Sequence, residues 1–149
     1  ELPNGFPHNL VPLITQTTIG KREKITVCGD DYETKDGSCI RDYIHVVDLA
    51  KAHVAALKLM ANNDFKGYDV FNLGTGNGNT VLEIIAAFEN TTGVKLNYKI
   101  GHRREGDVEK VWGDVTKSAN VLKWTAKLGI DTMMASAWQW EKYLSQNLS

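Results

Sequence analysis

Apolar residues recur at helical spacing in several segments of the chain, and each segment is expected to bury one face. The predicted helices cover residues 10–19, 47–60 and 81–92, and a last helix begins at Asp131. A shorter helix is predicted from Asp114 or Thr116 through Leu122. The pattern therefore indicates a chain in which helices carry most of the regular structure.

Residues at the ends of these segments favour the same boundaries. Asn9 stands where an N-cap is expected, and Gly20 stands where the first helix should end. Thr80 and Glu83 have the spacing of a capping box, and Gly93 follows the helix that they would begin.

Strand-forming residues occur in short runs between the helices. Strands are predicted over residues 25–28 and 69–73, within the β-rich run 39–46, and over residues 94–100. Strands that alternate with helices indicate an α/β class with α+β character. No repeat or linker divides the sequence, so residues 1–149 are interpreted as one compact unit.

Composition excludes several kinds of partner. The 149 residues carry a formal net charge of −1, with no broad basic field, so no nucleic-acid partner is expected. No run of 18 apolar residues occurs, which excludes a membrane partner in this reading. Cys28 and Cys39 fit neither a zinc pattern nor a disulfide framework, and reduced thiols in a cytoplasmic protein are expected. The histidines lack metal-ligand spacing, so no metal is predicted.

A glycine-rich segment, residues 72–80 (NLGTGNGNT), lies between a predicted strand and a predicted helix. It is similar to the dinucleotide-binding fingerprint, but Asn79 stands where the third glycine belongs. The acidic ribose ligand expected about 20 residues further on is also missing. The segment is therefore interpreted as a tight turn that leads into a capped helix, and no cofactor-binding residue is assigned.

Three further segments stand out, residues 7–12 (PHNLVP), residues 37–50 (GSCIRDYIHVVDLA) and residues 103–107 (RREGD), and the final helix contains Trp138 and Trp140. In this order and spacing they resemble UDP-glucose 4-epimerases of the extended short-chain dehydrogenase/reductase class. The resemblance runs from about Asn9 to Tyr143. It implies that residues 1–149 form the C-terminal UDP-sugar-binding domain of a longer chain, with the Rossmann half absent.

The resemblance also implies a function for the complete enzyme. It would be an isomerase of galactose metabolism that interconverts UDP-glucose and UDP-galactose through a 4-keto intermediate. NAD and a catalytic Tyr-x-x-x-Lys pair would belong to the missing N-terminal domain, so no catalytic residue is assigned here and this chain alone is expected to be inactive. The full-length enzyme is expected to be a homodimer. The alternatives are another UDP- or dTDP-sugar epimerase, dehydratase or decarboxylase, and a non-catalytic nucleotide-sugar-binding module.

The residues matching the family's substrate site follow from the resemblance. Arg41 and Arg104 match its diphosphate-binding arginines, and a guanidinium suits phosphate oxygens. Exposed ion pairs, Arg41 with Asp42 or Arg104 with Glu105, are the alternative. Arg103 is interpreted as a surface charge.

The other matching residues cover the uridine, the ribose and the sugar. Asn9 and Leu10 match a phosphate contact at a helix start, while a plain N-cap is the alternative for Asn9. Asp107 matches the ribose ligand, or is a solvated loop acid. The remaining matches are Thr26, Val27 and Cys28, whose strand backbone would face the uracil, and Val111, which would face the sugar. Because valine has intermediate size at that position, UDP-N-acetylhexosamines are expected as further substrates.

Overall fold

The computed structural model describes residues 7–62 and 65–147. The elements in chain order are α1 (Leu10–Thr18), β1 (Ile25–Cys28), β2 (Ile40–Arg41), α2 (Val46–Met60), β3 (Asn79–Thr80), α3 (Val81–Thr92), β4 (Tyr98–Gly101), α4 (Thr116–Val121) and α5 (Ile130–Asn147). Internal contacts divide these elements between two compact units. The prediction of one C-terminal domain over residues 1–149 stays a prediction.

The predicted mixture of helices and short strands is confirmed. The predicted capping box is present, because the Thr80 side chain accepts from the Glu83 N–H and the Glu83 carboxylate accepts from the Thr80 N–H. Gly93 then ends α3 with a φ of 71°, in the left-handed region that glycine adopts without strain.

The predicted strand at residues 69–73 is wrong, since that segment has no regular secondary structure. The Asp69 carboxylate accepts from the N–H of Val70 at 2.8 Å and pairs with Lys117, so this end of the segment satisfies its polar groups locally. Phe71 and Leu73 instead pack against the buried cluster of Ala52, Leu122 and Trp124. Of the strand predicted within 39–46 only β2 is present, and helix α2 already begins at Val46. The strand predicted over 94–100 is observed as β4, which begins later and ends at Gly101.

Unit 1 contains the chain up to Cys39, Thr80–Glu109 and the chain from Ile130. Strands β1 and β4 are parallel, with Ile25 opposite Tyr98 and Cys28 opposite Gly101. Helix α5 packs on α3 and α1, and the ring of Phe88 meets the Trp138 ring edge to face at 5.8 Å. The core of this unit is built from buried aliphatic and aromatic side chains, including Ile14, Ile25, Val27, Ile84, Phe88, Met134 and Leu144.

Unit 2 contains Ile40–Asn79 and Lys110–Gly129. Helix α2 turns Ala52 towards Leu122 and Trp124, which form the centre of this smaller core. Strand β2 pairs with β3 and, through Ile40, makes a parallel bridge to Lys110. This bridge brings the segment around Val111 beside β2.

Candidate functional site

Strand β1 presents one backbone edge away from its partner. The N–H of Ile25 donates to the Asn97 carbonyl at 3.1 Å and the N–H of Gly29 donates to Gly101 at 3.0 Å, so odd-numbered residues face β4. Because successive residues alternate in a strand, the polar backbone groups of Thr26 and Cys28 point to the opposite edge. The side chain of Val27 is buried in the core, so this edge can offer backbone donors and acceptors on a fixed support.

Helix α1 begins where the sequence predicts. Asn9 occupies the N-cap position in an extended conformation, but its side chain makes no capping hydrogen bond with a described residue. The N–H groups of Leu10 and Val11 have no acceptor within the helix, and Pro12 has no N–H. The N-terminal end of α1 is therefore suited to an anion, and the predicted N-cap position of Asn9 is confirmed.

Arg104 and Asp107 meet across a tight turn. The N–H of Asp107 donates to the Arg104 carbonyl at 3.1 Å, and Gly106 has a φ of 81°, which a type II turn requires at that position. The Arg104 Nη2 atom lies 2.6 Å from the Asp107 Oδ1 atom. This hydrogen bond, more than the carboxylate charge alone, raises the pKa of Arg104 above its ordinary value.

The pair at this turn exposes its cation and shields its anion. The Arg104 side chain is 68% exposed, whereas the Asp107 side chain is 10% exposed. The partner of Arg104 is therefore Asp107, rather than the neighbouring Glu105 that the sequence suggested as an alternative. Two residues that the sequence assigned to different parts of a UDP-sugar lie in direct contact here.

Arg103 points to a different partner. Its Nε atom lies 2.7 Å from the Asp31 carboxylate, and its guanidinium carbon lies 4.1 Å above the Tyr32 ring. These contacts fix the loop after β1, so Arg103 is a loop-holding residue as well as a surface charge.

In unit 2, Arg41 and Val111 share one carbonyl group. The Ile40 oxygen accepts from the Arg41 Nη1 atom at 2.8 Å and from the Val111 N–H at 3.2 Å. The guanidinium therefore lies beside the backbone of Val111, whose residue is 48% exposed. The structure thus brings together a residue predicted to bind phosphate and a residue predicted to face the sugar.

The glycine-rich loop (residues 74–78) already holds an anion, the carboxylate of Asp42. Asp42 Oδ1 accepts from the Thr75 N–H at 2.9 Å and from its hydroxyl at 2.6 Å. Asp42 Oδ2 accepts from Gly76 at 3.3 Å, and a Cβ added at Gly74 would lie 2.2 Å from it. The donors that would cradle a dinucleotide phosphate are thus occupied, and this loop does not fit NAD.

No group of three His, Cys, Asp or Glu side chains gathers in a way that would hold a metal ion within ranges 7–62 and 65–147. Over the same ranges, no helix combines the length and the apolar character that a bilayer crossing requires.

The chain matches a known protein family over most of its length. Residues 2–137 match the protein family described as GDP-mannose 4,6 dehydratase, and the chain belongs to that family.

Among curated relatives, the UDP-glucose 4-epimerase of Bacillus subtilis is 47% identical over 141 residues, which cover 95% of this chain and 41% of that enzyme. A UDP-glucose 4-epimerase structure from Stenotrophomonas maltophila, with bound NAD and formylated UDP-arabinopyranose, matches with a TM-score of 0.93. It is 43% identical, over 98% of this chain and 43% of that one. The UDP-Glc/GlcNAc 4-epimerase of Campylobacter jejuni gives a TM-score of 0.82 at 38% identity, over 93% of this chain and 42% of that one. The chain thus spans about two fifths of the length of these relatives.

One feature of the site was missed by the sequence analysis. Asp42 was considered only as a salt-bridge partner for Arg41, whereas its carboxylate binds the glycine-rich loop. The two are separated by more than 30 residues in the sequence, and no local spacing pattern signals such a contact. The sequence does show Thr75 and Gly76, whose N–H groups are the donors to Asp42, but their pattern predicts only a tight turn.

Proposed function

We propose that this chain is the UDP-sugar-binding part of a UDP-glucose 4-epimerase. The longer polypeptide would interconvert UDP-glucose and UDP-galactose, with NAD supplying the hydride chemistry from a part of the protein outside this chain. The observation that carries the proposal is the exposed Arg104 guanidinium, held on a rigid turn by Asp107. The close likeness to solved 4-epimerases supports the same assignment.

In unit 1, three features suit a uridine diphosphate. The backbone edge at Thr26 and Cys28 can pair with the donor and acceptors of a uracil ring without a special side chain. Arg104 has five N–H donors, of which Asp107 uses one, so several can bind phosphate oxygens. The Asp107 carboxylate can accept from a ribose hydroxyl, and the α1 N-terminus at Asn9 and Leu10 favours a phosphate.

In unit 2, Arg41 would bind a phosphate group, and Val111 would face the hexose. These residues bind and orient the substrate and take no part in proton or hydride transfer. The nucleotide would be bound firmly and the sugar loosely. This arrangement allows the 4-keto sugar to rotate and present its other face before the hydride returns.

The test is substitution of the arginines in the intact polypeptide that contains this chain. Loss of a charge-assisted hydrogen bond costs about 1.5–3 kcal/mol, so Arg41→Ala and Arg104→Ala should each raise KM for UDP-galactose by roughly 10- to 150-fold. Arg103→Ala is the matched control, because its guanidinium is committed to Asp31, and its KM should change by less than about threefold. An unchanged KM in both test variants would refute the proposal.

Val111 supports a wider substrate range. Its side chain is of intermediate size and half exposed, which leaves room beside the sugar for an N-acetyl group. The intact polypeptide should therefore turn over UDP-N-acetylglucosamine as well as UDP-glucose, and Val111→Tyr should abolish the former while retaining the latter. Turnover of UDP-glucose alone by the parent enzyme would contradict this assignment.

A dehydratase is the second candidate, because the matching family is described by a dehydratase. NMR analysis of the product separates the two: an epimerase returns a hexose with C6 unchanged, and a dehydratase releases water and leaves a 6-deoxy-4-keto sugar.

The 149-residue chain with UDP-glucose and NAD should give no turnover, and epimerisation by the pure chain would overturn the division of roles proposed here. By the same resemblance, the intact enzyme is proposed to be a cytoplasmic homodimer, and Cys28 and Cys39, which form no disulfide, agree with a reducing compartment.

A further inference from the structure

The carboxylate of Asp42 connects three separate segments of unit 2. It lies directly after β2 and accepts from the N–H and hydroxyl of Thr75, from the N–H of Gly76 and, at 3.4 Å, from the N–H of Gly113. Together these donors use both oxygens of the carboxylate. An ionised carboxylate is the side chain that can accept so many donors at once.

The contact with Gly113 completes a two-point attachment of the segment around Val111. Two residues earlier, the Val111 N–H donates to the Ile40 carbonyl. In a continued parallel ladder, the next donor of that segment would meet the backbone carbonyl of residue 42. Here the side-chain carboxylate of Asp42 takes that place, so Val111 is held between two anchors.

The same two anchors lie on either side of Arg41. Ile40 precedes it and accepts from its guanidinium, while Asp42 follows it and is fixed to the glycine-rich loop. The close packing continues at Gly78, where an added Cβ would lie 2.2 Å from the Ile40 side chain. The backbone at Arg41 therefore has little freedom to shift.

We propose that Asp42 is a positioning residue, which holds Arg41 and Val111 in the geometry that binds the diphosphate and the sugar. The inference rests on the proposed function of those two residues. Asp42 itself does not touch the substrate, because its oxygens are directed at Thr75, Gly76 and Gly113. Its effect on binding is transmitted through the backbone on either side of it.

Asp42→Asn in the intact polypeptide tests this role with little change in shape. The amide keeps one acceptor oxygen but presents donors where the other carboxylate oxygen accepts, so either the Thr75 N–H or both the Gly76 and Gly113 N–H groups lose their acceptor. We expect KM for UDP-galactose to rise about tenfold while kcat changes by less than about threefold, the signature of impaired ground-state binding. Asp69→Asn, a change at another acidic residue of unit 2, is the control and should leave KM within about twofold.

A double-mutant cycle distinguishes positioning from general stability. If Asp42 acts through Arg41, then Asp42→Asn should raise KM much less in the Arg41→Ala background than in the parent, while its effect on the urea midpoint should be the same in both backgrounds. Independent, multiplicative effects on KM would overturn the inference. If Asp42→Asn fails to fold, Thr75→Val removes the hydroxyl donor to Asp42, together with the acceptor of the Asn77 N–H, and should raise KM in the same direction by a smaller factor. An unchanged KM in that variant would equally overturn it.

The variants also separate this inference from the proposed function. If Arg41→Ala and Arg104→Ala leave KM unchanged, then the UDP-sugar assignment itself fails. If both raise KM and Asp42→Asn does not, then the assignment stands and only the positioning role of Asp42 is wrong.

Discussion

Replacement of Asp48 by alanine should destabilise unit 2, because this carboxylate joins two distant parts of it. Asp48 lies in the first turn of α2 and is 1% exposed. Its Oδ2 atom accepts from the N–H groups of Lys127 and Leu128, each at 2.7 Å. The side chain therefore fixes the start of α2 to the segment that follows Trp124.

The magnitude follows from the two donors that alanine would leave without an acceptor. A buried donor that loses its partner costs about 1–3 kcal/mol, so two of them give about 2–6 kcal/mol for Asp48→Ala. Asp48→Asn keeps one acceptor of similar shape but loses its charge, so a smaller loss of about 1–3 kcal/mol is expected. Either loss is a substantial fraction of the free energy of unfolding of a typical domain, which is about 5–15 kcal/mol.

The pH dependence has a definite sign. Burial raises the pKa of the Asp48 carboxyl, but the N–H donors of Leu128 and Lys127, aided by the charges of Lys51 and His45, lower it by more, so the pKa in the folded state lies below its ordinary value. A lowered folded-state pKa stabilises the fold above about pH 4, the ordinary range of an aspartate, and this stabilisation is lost as the pH falls through the folded-state value. The stability difference between the parent chain and Asp48→Asn should therefore shrink on acidification below about pH 4.

Urea unfolding followed by circular dichroism measures the total effect, and hydrogen exchange of the Lys127 and Leu128 amides measures the local one. Asp131→Asn is the matched control, since Asp131 also lies in the first turn of a helix but is exposed, and its effect should stay within about 1 kcal/mol. The reasoning would be refuted if the free energy of unfolding of Asp48→Ala lay within about 0.5 kcal/mol of the parent value and both amides kept their protection. The contact of Asp48 with Lys127 and Leu128 would then have no energetic importance.

Two further substitutions test unit 1. Thr80→Ala removes the acceptor of the Glu83 N–H and should lower the free energy of unfolding in urea by about 1–2 kcal/mol. Thr91→Ala, on the exposed face of the same helix, is the control and should change it by less than about 0.5 kcal/mol. Equal effects of the two substitutions would contradict the capping box. Phe88→Ala empties a fully buried position against Trp138. It should lower the free energy of unfolding by about 3–5 kcal/mol and change the tryptophan emission. A loss of unfolding free energy below about 1 kcal/mol would mean that the core of α3 and α5 is not packed as described.

Much of this fold could be predicted from local sequence rules. The ends of α1 and α3 depend on residues within a few positions of each end. The predicted end residues are Gly20, Thr80, Glu83 and Gly93, and all of them lie at or next to an observed helix end. The failure at residues 69–73 has the opposite cause. A strand needs a partner ladder, and neither apolar content nor β-propensity reports whether one is available.

The site could be predicted as a set of residues but not as an arrangement. The resemblance selects Arg104 and Asp107 separately, whereas their ion pair depends on the turn that Gly106 permits. The position of Arg41 beside Val111 depends on a bridge between residues 70 positions apart in the chain. Long-range backbone pairing of this kind leaves no periodic signal in a single sequence.

Both proposed phosphate ligands are restrained before any ligand binds, and this affects how binding energy would be used. A free arginine loses side-chain entropy when it is fixed on a ligand, a cost of about 0.5–1.5 kcal/mol for each immobilised side chain. Arg104 has paid part of that cost through Asp107, and Arg41 through the Ile40 carbonyl. The two contacts differ in what a phosphate must displace, since a carboxylate competes for a guanidinium more strongly than a carbonyl does. It follows that Asp107→Asn should loosen Arg104 yet ease its transfer to phosphate, and the amide keeps one oxygen that can accept from the ribose. Its KM effect should therefore be smaller than that of Arg104→Ala, and an equal or larger effect would contradict this account of how Arg104 is held.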